Sequence, residues 1–282
     1  MQNNIVYYYC NESVFNSIIE QHKLWLTSIW DLNDSSEVHW TFKKLWPNIQ
    51  SELLLDASDK QRELINLINN DINIGIYQKY MYYIICFSRY GDLLSQWRGY
   101  ADDGRGFSIG INIDRVTPQM GIPWINVDYN KSLGYSPVIY NFNEQYEILL
   151  NVFKEIFEMD YTQAPLFVAL MNLSRYATIF KNPYYFEENE VRLMFAANIS
   201  NDKVLNLDGN GFINGPFKHT NSICDTTHVE INLMKCNINN CIEHVVLGPK
   251  NKHTTNDIYD KIISNGFSIS SDKVILSKGT YR

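Results

Sequence analysis

The chain has 282 residues, 45% hydrophobic and 14% aromatic, with 24 Lys and Arg against 31 Asp and Glu, a net charge of -7. That composition is ordinary for a globular protein that builds its core without disulfide staples. Its acidic balance excludes a broad positive field for phosphates and leaves open only a local basic patch. The opening MQNNIVYYYC lacks the basic start and long apolar run of a secretory leader, and nothing approaches the ~18 apolar residues of a membrane span. Five Cys, an odd number without a framework, fit a reducing compartment. The expectation is a cytoplasmic protein that meets no membrane.

In chain order, IVYYY at 5–9 reads as a first strand. Asn11 or Ser13 can cap a short helix with Val14, Phe15, Ile18 and Ile19 on one face. LWLTS at 24–28 is a second strand, and WDLNDSSE after it is dense in turn residues, with a helix start near Asp34 or Ser35. Residues 37–70 are helical in pattern with a break near Pro47, and the Asn-rich INLINNDINIG is expected to fray into a loop. MYYIICFS at 81–88 is almost wholly apolar and reads as a buried central strand whose polar end, Ser88, faces a cleft.

LLSQWRGY at 93–100 is a short helix on which Trp97 and Tyr100 share a face, as core or as a ligand wall. DDGRG is a tight turn with Gly104 and Gly106 free to take positive φ, and FSIGINID is a strand. Weaker strands are expected at 124–129 and 136–140, helices over 142–179, and further strands at 204–207, 228–234, in IEHVVLGPK and in VILSKGTYR, with a helix at 256–264. Helices cluster centrally and strands recur on both sides. The predicted fold is therefore α+β, a mixed or antiparallel twisted sheet in one domain over 1–282, with a helical segment at about 142–180.

The stretch FKNPYYFEENEVRLMFAA at 180–197 carries most of the functional information. Glu188, Glu190 and Arg192 alternate with apolar residues at the period of a strand, which predicts one charged row with about 6–7 Å between neighbours. Two readings are open. One is the solvated face of a half-exposed strand. The other is a site, in which one carboxylate holds a hydroxyl and the other stabilises developing positive charge, with Arg192 keeping Glu190 ionised.

Several ordered pieces resemble a large bacterial family known mainly as a domain of unknown function and recurrent in phage-defence loci. They are Tyr7–Tyr9, LWLTS followed by LNDSSE, CFS followed by QWRGYADDGRGFSIGIN, Lys181 with EENEVR, and IEHVVLGP. This chain has Asn33-Asp34-Ser35 where the family usually has Asn-Asp-Pro. The order of an aromatic strand, a strand ending in Ser, and Glu-x-Glu is also similar to ADP-ribosyltransferases, whose sheet is split in two. That resemblance implies NAD as substrate, Glu190 as catalytic carboxylate and Glu188 as its helper. It implies Tyr8, Ser28, Asn33, Ser88, Trp97, Arg98, Tyr100 and Arg192 as NAD contacts, with Arg98 or Arg105 on the pyrophosphate. Tyr8 stands where Arg or His is usual. The implied role is a toxin or anti-phage effector that modifies RNA, DNA or protein and is held in check by an antitoxin. A Glu190→Gln variant is expected to fold normally and lose activity.

Two rival classes remain. Asp34, Glu37, Glu188 and Glu190 would suit Mg²⁺ in a nuclease, and an aromatic pocket with carboxylates that merely order loops would suit a non-catalytic sensor. Cys224, His228, Cys236, Cys241 and His244 lack zinc-ligand spacing, so no metal is expected. No Gly-rich nucleotide loop is present.

Overall fold

A computed structural model describes residues 4–32, 35–75, 81–126, 128–159, 164–197, 205–206, 210–220, 225–235 and 241–279. Strand β1 (Ile5–Cys10) leads into helix α1 (Glu12–Gln21), where Asn11 accepts a hydrogen bond from the Val14 amide at 2.9 Å and so caps the first turn. After β2 (Lys23–Ser28) come α2 (Ser35–Trp40), α3 (Trp46–Leu53) and α4 (Asp59–Asn73). Pro47 does not break the helical run. A π turn over Thr41–Leu45 directly precedes α3, and that wider turn is where a continuous helix absorbs the proline's missing N–H and its ring.

The Asn-rich run is not a loop either. It stays helical to Asn73, held by a Ser58–Gln61 capping box and by buried Leu64, Ile65 and Ile68. Tertiary burial outweighs the weak helix propensity of Asn.

The chain continues through β3 (Met81–Ser88), α5 (Leu94–Tyr100), β4 (Phe107–Asn112), α6 (Ile113–Val116) and β5 (Leu133–Pro137). No strand forms at 124–126, and Tyr129 opens a 3-10 turn; the later strand begins at Leu133 rather than 136. Helices α7 (Phe142–Phe157) and α8 (Pro165–Ala177) precede β6 (Glu190–Ala197). Then follow β7 (Leu205–Asn206), β8 (Ile213–Thr220), β9 (Asp225–Asn232), β10 (Ile242–Leu247), α9 (Thr255–Ser264) and β11 (Val274–Leu276). Strand β8 was not expected, because its register shifts between Asn214 and Phe217 and spoils the alternation.

All these strands join one sheet in the order β11-β10-β4-β1-β3-β2-β9-β8-β7, with β6 on β3 and β5 on β6. Every pairing is antiparallel except β10 with β11. The α+β architecture is thus as expected. One face packs α1, through Phe15, and α9 over Ile85, Phe107 and Phe195; the other packs the helical layer over Tyr82, Ile84, Met194 and Ala196.

Rather than two separate sheets, the structure shows one sheet forked at β3. Strand β6 pairs with β3 over its whole length, Met81 with Ala197 through Ser88 with Glu190. On the opposite edge β1 meets β3 at Tyr7↔Ser88, while β2 meets it at Thr27↔Ile84 and Ser28↔Tyr83. The two strands diverge between these points, and a cleft opens where they part.

The wing that carries β1 is locked by close backbone approach. A Cβ on Gly106 would lie 2.1 Å from the Cys10 carbonyl oxygen, and one on Gly248 would lie 2.3 Å from the Gly104 carbonyl oxygen. Gly104 takes φ +84, but Gly106 is required by contact and not by a positive φ.

Candidate active site

Phe180 is bridged to Ile139, which delivers Lys181 to the C-terminal end of α8. Asn182 then caps a 3-10 turn over Pro183–Glu188, accepting from the Tyr184 amide at 3.0 Å. Asn189 adopts the left-handed conformation at φ 46, which Asn tolerates better than most residues, and the strand starts only at Glu190. Glu188 and Glu190 therefore do not stand in one strand row, as the alternation predicted. The turn instead folds Glu188 back so that both carboxylates converge on one ammonium.

Lys181 Nζ donates to Glu188 Oε2 at 2.5 Å and to Glu190 Oε1 at 3.1 Å. Arg192 donates to Glu190 Oε2 through Nε at 2.9 Å and Nη2 at 2.7 Å, and to the Thr178 carbonyl through Nη1 at 2.9 Å. Arg192 is 1% exposed, Lys181 2% and Glu190 8%. These values overturn the solvated-face reading: β6 is buried on both faces.

Burial pushes the Glu190 pKa up, but the Arg192 and Lys181 charges and hydrogen bonds outweigh it, and the carboxyl sits below its ordinary value. A carboxylate so held is a poor proton acceptor and a good fixed anion. The phenol pKa of Tyr100 is raised by burial and then by Glu188, so the phenol stays an O–H donor; it donates to Glu188 Oε1 at 3.4 Å. The Tyr140 oxygen accepts from the Glu190 amide at 3.1 Å.

The fork cleft encloses about 340 Å³ and is bordered by Tyr8, Tyr9, Trp25, Cys86, Tyr100 and, at its acidic end, Glu190. Of the residues expected to contact NAD, Tyr8 and Tyr100 line it, and Glu190 reaches it. Ser88 is 1% exposed and works from behind. Its Oγ donates to the Glu188 carbonyl at 3.0 Å and accepts from the Tyr90 amide at 3.2 Å. Arg192 contacts Glu190 and not the cleft.

The structure places the remaining expected contacts elsewhere. Trp97 is 2% exposed, packs edge-on to Tyr9 at 4.8 Å and donates to Asp92 at 2.7 Å, so it is core. Ser28 caps a 3-10 turn by accepting from the Trp30 amide at 3.3 Å. As the partner of Tyr83, Ser28 lies on the opposite face from Ser88 and Glu190. Arg98 is exposed on α5 and Arg105 is exposed beside Asp102; no Lys or Arg lines the cleft among the described residues. Asn33 and Asp34 lie outside the described residues, as does the side chain of Glu37.

Sequence reasoning gave Lys181 no role and missed Gln96, which also lines the cleft. A buried lysine seven and nine residues before two glutamates carries no local signature, since only the turn at 183–189 brings the three together.

Of the zinc candidates, Cys241 is sealed in the core, His228 stacks on Trp25 at 3.9 Å, and His244 bonds Tyr7 at 2.9 Å. Cys224 and Cys236 lie outside the described residues. No cluster of three or more metal-ligating side chains occurs among the described residues.

Residues 96–193 match the family described as Protein of unknown function (DUF2971). The matched segment runs from α5 into β6 and holds Gln96, Tyr100, Lys181 and both carboxylates, so the chain carries a domain of unknown function around its candidate site. No curated protein and no solved structure matches the chain. No helix among the described residues is long and apolar enough to cross a membrane.

Proposed function

We propose that the cleft binds the nicotinamide end of NAD and that the protein is an ADP-ribosyltransferase-like enzyme acting on a macromolecular acceptor. The observation that carries this reading is an ion-paired, buried carboxylate, Glu190, at the end of an aromatic cleft. Breaking the bond between ribose and nicotinamide leaves positive charge on the ribose, which a fixed anion stabilises; the departing pair of electrons neutralises the pyridinium ring. Tyrosine walls suit a flat cationic ring. A cleft of about 340 Å³ is at the small end of ligand sites, which suits the ring and ribose, with the rest of the dinucleotide outside. The phage-defence or toxin role, a DNA, RNA or protein acceptor and an antitoxin partner belong to this proposal.

The metal-dependent nuclease is less well supported, because the Lys181 ammonium occupies the position between Glu188 and Glu190 that a divalent ion would take. A non-catalytic binding module is the second reading. It is favoured by one observation: both Glu190 oxygens are already engaged by Lys181 and Arg192.

The deciding experiment incubates the purified chain with nicotinamide-labelled NAD and follows release of the label, alongside the melting temperature at NAD well above Kd. Release with a raised melting temperature supports the transferase. A raised melting temperature without release supports the binding module, and neither effect removes NAD from the account. Glu190→Gln is a poor single test, since it leaves Lys181 and Arg192 buried against a neutral amide and is expected to destabilise the fold, contrary to the sequence-based expectation.

A further inference from the structure

Two buried glutamines face the same question and answer it differently. Gln145 on α7 is 0% exposed and fully engaged: its Nε2 donates to the Ile139 and Lys181 carbonyls at 2.6 and 2.8 Å, and its Oε1 accepts from Trp40 at 2.8 Å. Gln96 on α5 is 7% exposed and borders the cleft, yet its amide makes no hydrogen bond with any described residue. The amide is not sealed off, and the residue stands on the cleft border. An amide open to the cleft can pair with a polar group of a ligand without any internal hydrogen bond being broken.

Gln96 precedes Tyr100 by four residues, which puts both on one helix face. Trp97, next along the helix, is buried and anchors it to Tyr9. Gln96 therefore borders, from an anchored helix and beside an aromatic wall, the cleft that ends at Glu190. A carboxamide offers one acceptor and two donors, the complement of another primary amide held edge to edge.

We propose that Gln96 determines ligand specificity in the cleft by pairing with a carboxamide carried on a flat cationic ring. This rests on the transferase reading for the identity of that ring as nicotinamide.

The test is calorimetric titration of the full chain with nicotinamide mononucleotide and with its 3-acetylpyridine counterpart, in which a methyl replaces the amide nitrogen and the charge is unchanged. The wild type should prefer the amide roughly ten-fold or more. Gln96→Leu should bind both ligands alike, the amide weakened by a similar factor. Its melting temperature should hold, because no internal hydrogen bond is lost. Equal binding of both ligands by the wild type, undiminished amide binding by Gln96→Leu, or no binding of either ligand overturns the proposal. Label release from NAD is followed separately on the same preparation. Turnover without amide preference removes Gln96 alone, while amide preference without turnover removes only the transferase.

Discussion

Ser88 is the ladder partner of Glu190 across β3 and β6. The same serine is the partner of Tyr7 on β1, so the sheet is joined on both sides of the central strand at the cleft's acidic end. Its hydroxyl ties down the carbonyl of Glu188, and the position of one carboxylate thus depends on the strand that faces the other. Ser88→Ala is expected to lose about 1–3 kcal/mol of stability, since two part-buried hydrogen bonds go: the Tyr90 amide loses its acceptor and the Glu188 carbonyl its donor. Urea unfolding measures this, and an unchanged midpoint would show that the turn is held by other contacts.

Removing Lys181 should be more severe. Lys181→Met takes away the cation shared by Glu188 and Glu190 and leaves Glu188 without that partner. Breaking a buried ion pair from one side costs about 3–5 kcal/mol, and chemical denaturation of the variant should show a loss of that size. A loss below about 1 kcal/mol, the range of exposed pairs, would mean that the cluster is hydrated in solution.

Acid sensitivity follows from Glu190. Its folded pKa lies below the ordinary 4.5, with burial opposing and the Arg192 and Lys181 charges prevailing. The unfolded chain then takes up a proton first as pH falls. The stabilisation from this group is fully present above about pH 4.5 and is lost as pH drops through the folded value. Urea midpoints at successive pH values from 6 downward should decline through that window, and less steeply in Glu190→Gln measured against its own neutral midpoint.

Gly91→Ala tests how the cleft wall, to which Tyr7 also belongs, is set. An added Cβ would meet the Tyr7 ring at 2.4 Å, so Tyr7 has to move, and with it the hydrogen bond to His244. A cost of about 1–3 kcal/mol is expected for such overpacking, together with weaker ligand binding. Gly106→Ala drives a Cβ against backbone at Cys10 instead, where nothing can rotate away, and it should unfold at a lower temperature than Gly91→Ala.

Trp97→Phe separates structure from recognition. It removes the donor to Asp92 and part of the packing on Tyr9, so stability should fall by about 1–2 kcal/mol with little change in cleft affinity. A ten-fold loss of affinity at unchanged stability would return Trp97 to the ligand wall.

Local pattern carried much of this protein. The apolar run at 81–88 marked the central strand, Val191, Leu193 and Phe195 marked a core face, and Asn11 marked a helix start, each because the signal lies within a few residues and obeys a period or a cap. The sequence alone therefore determined the α+β class, the central strand and the pair of glutamates worth attention. Tertiary structure decided the rest. Asn189 turns Glu188 out of the strand and onto Lys181, Trp97 goes to the core while Gln96 goes to the cleft, and β1 and β2 part from β3 to make the cleft at all. These depend on which residues far apart in the chain share one buried space, and burial is a property of the packed whole that no local spacing records.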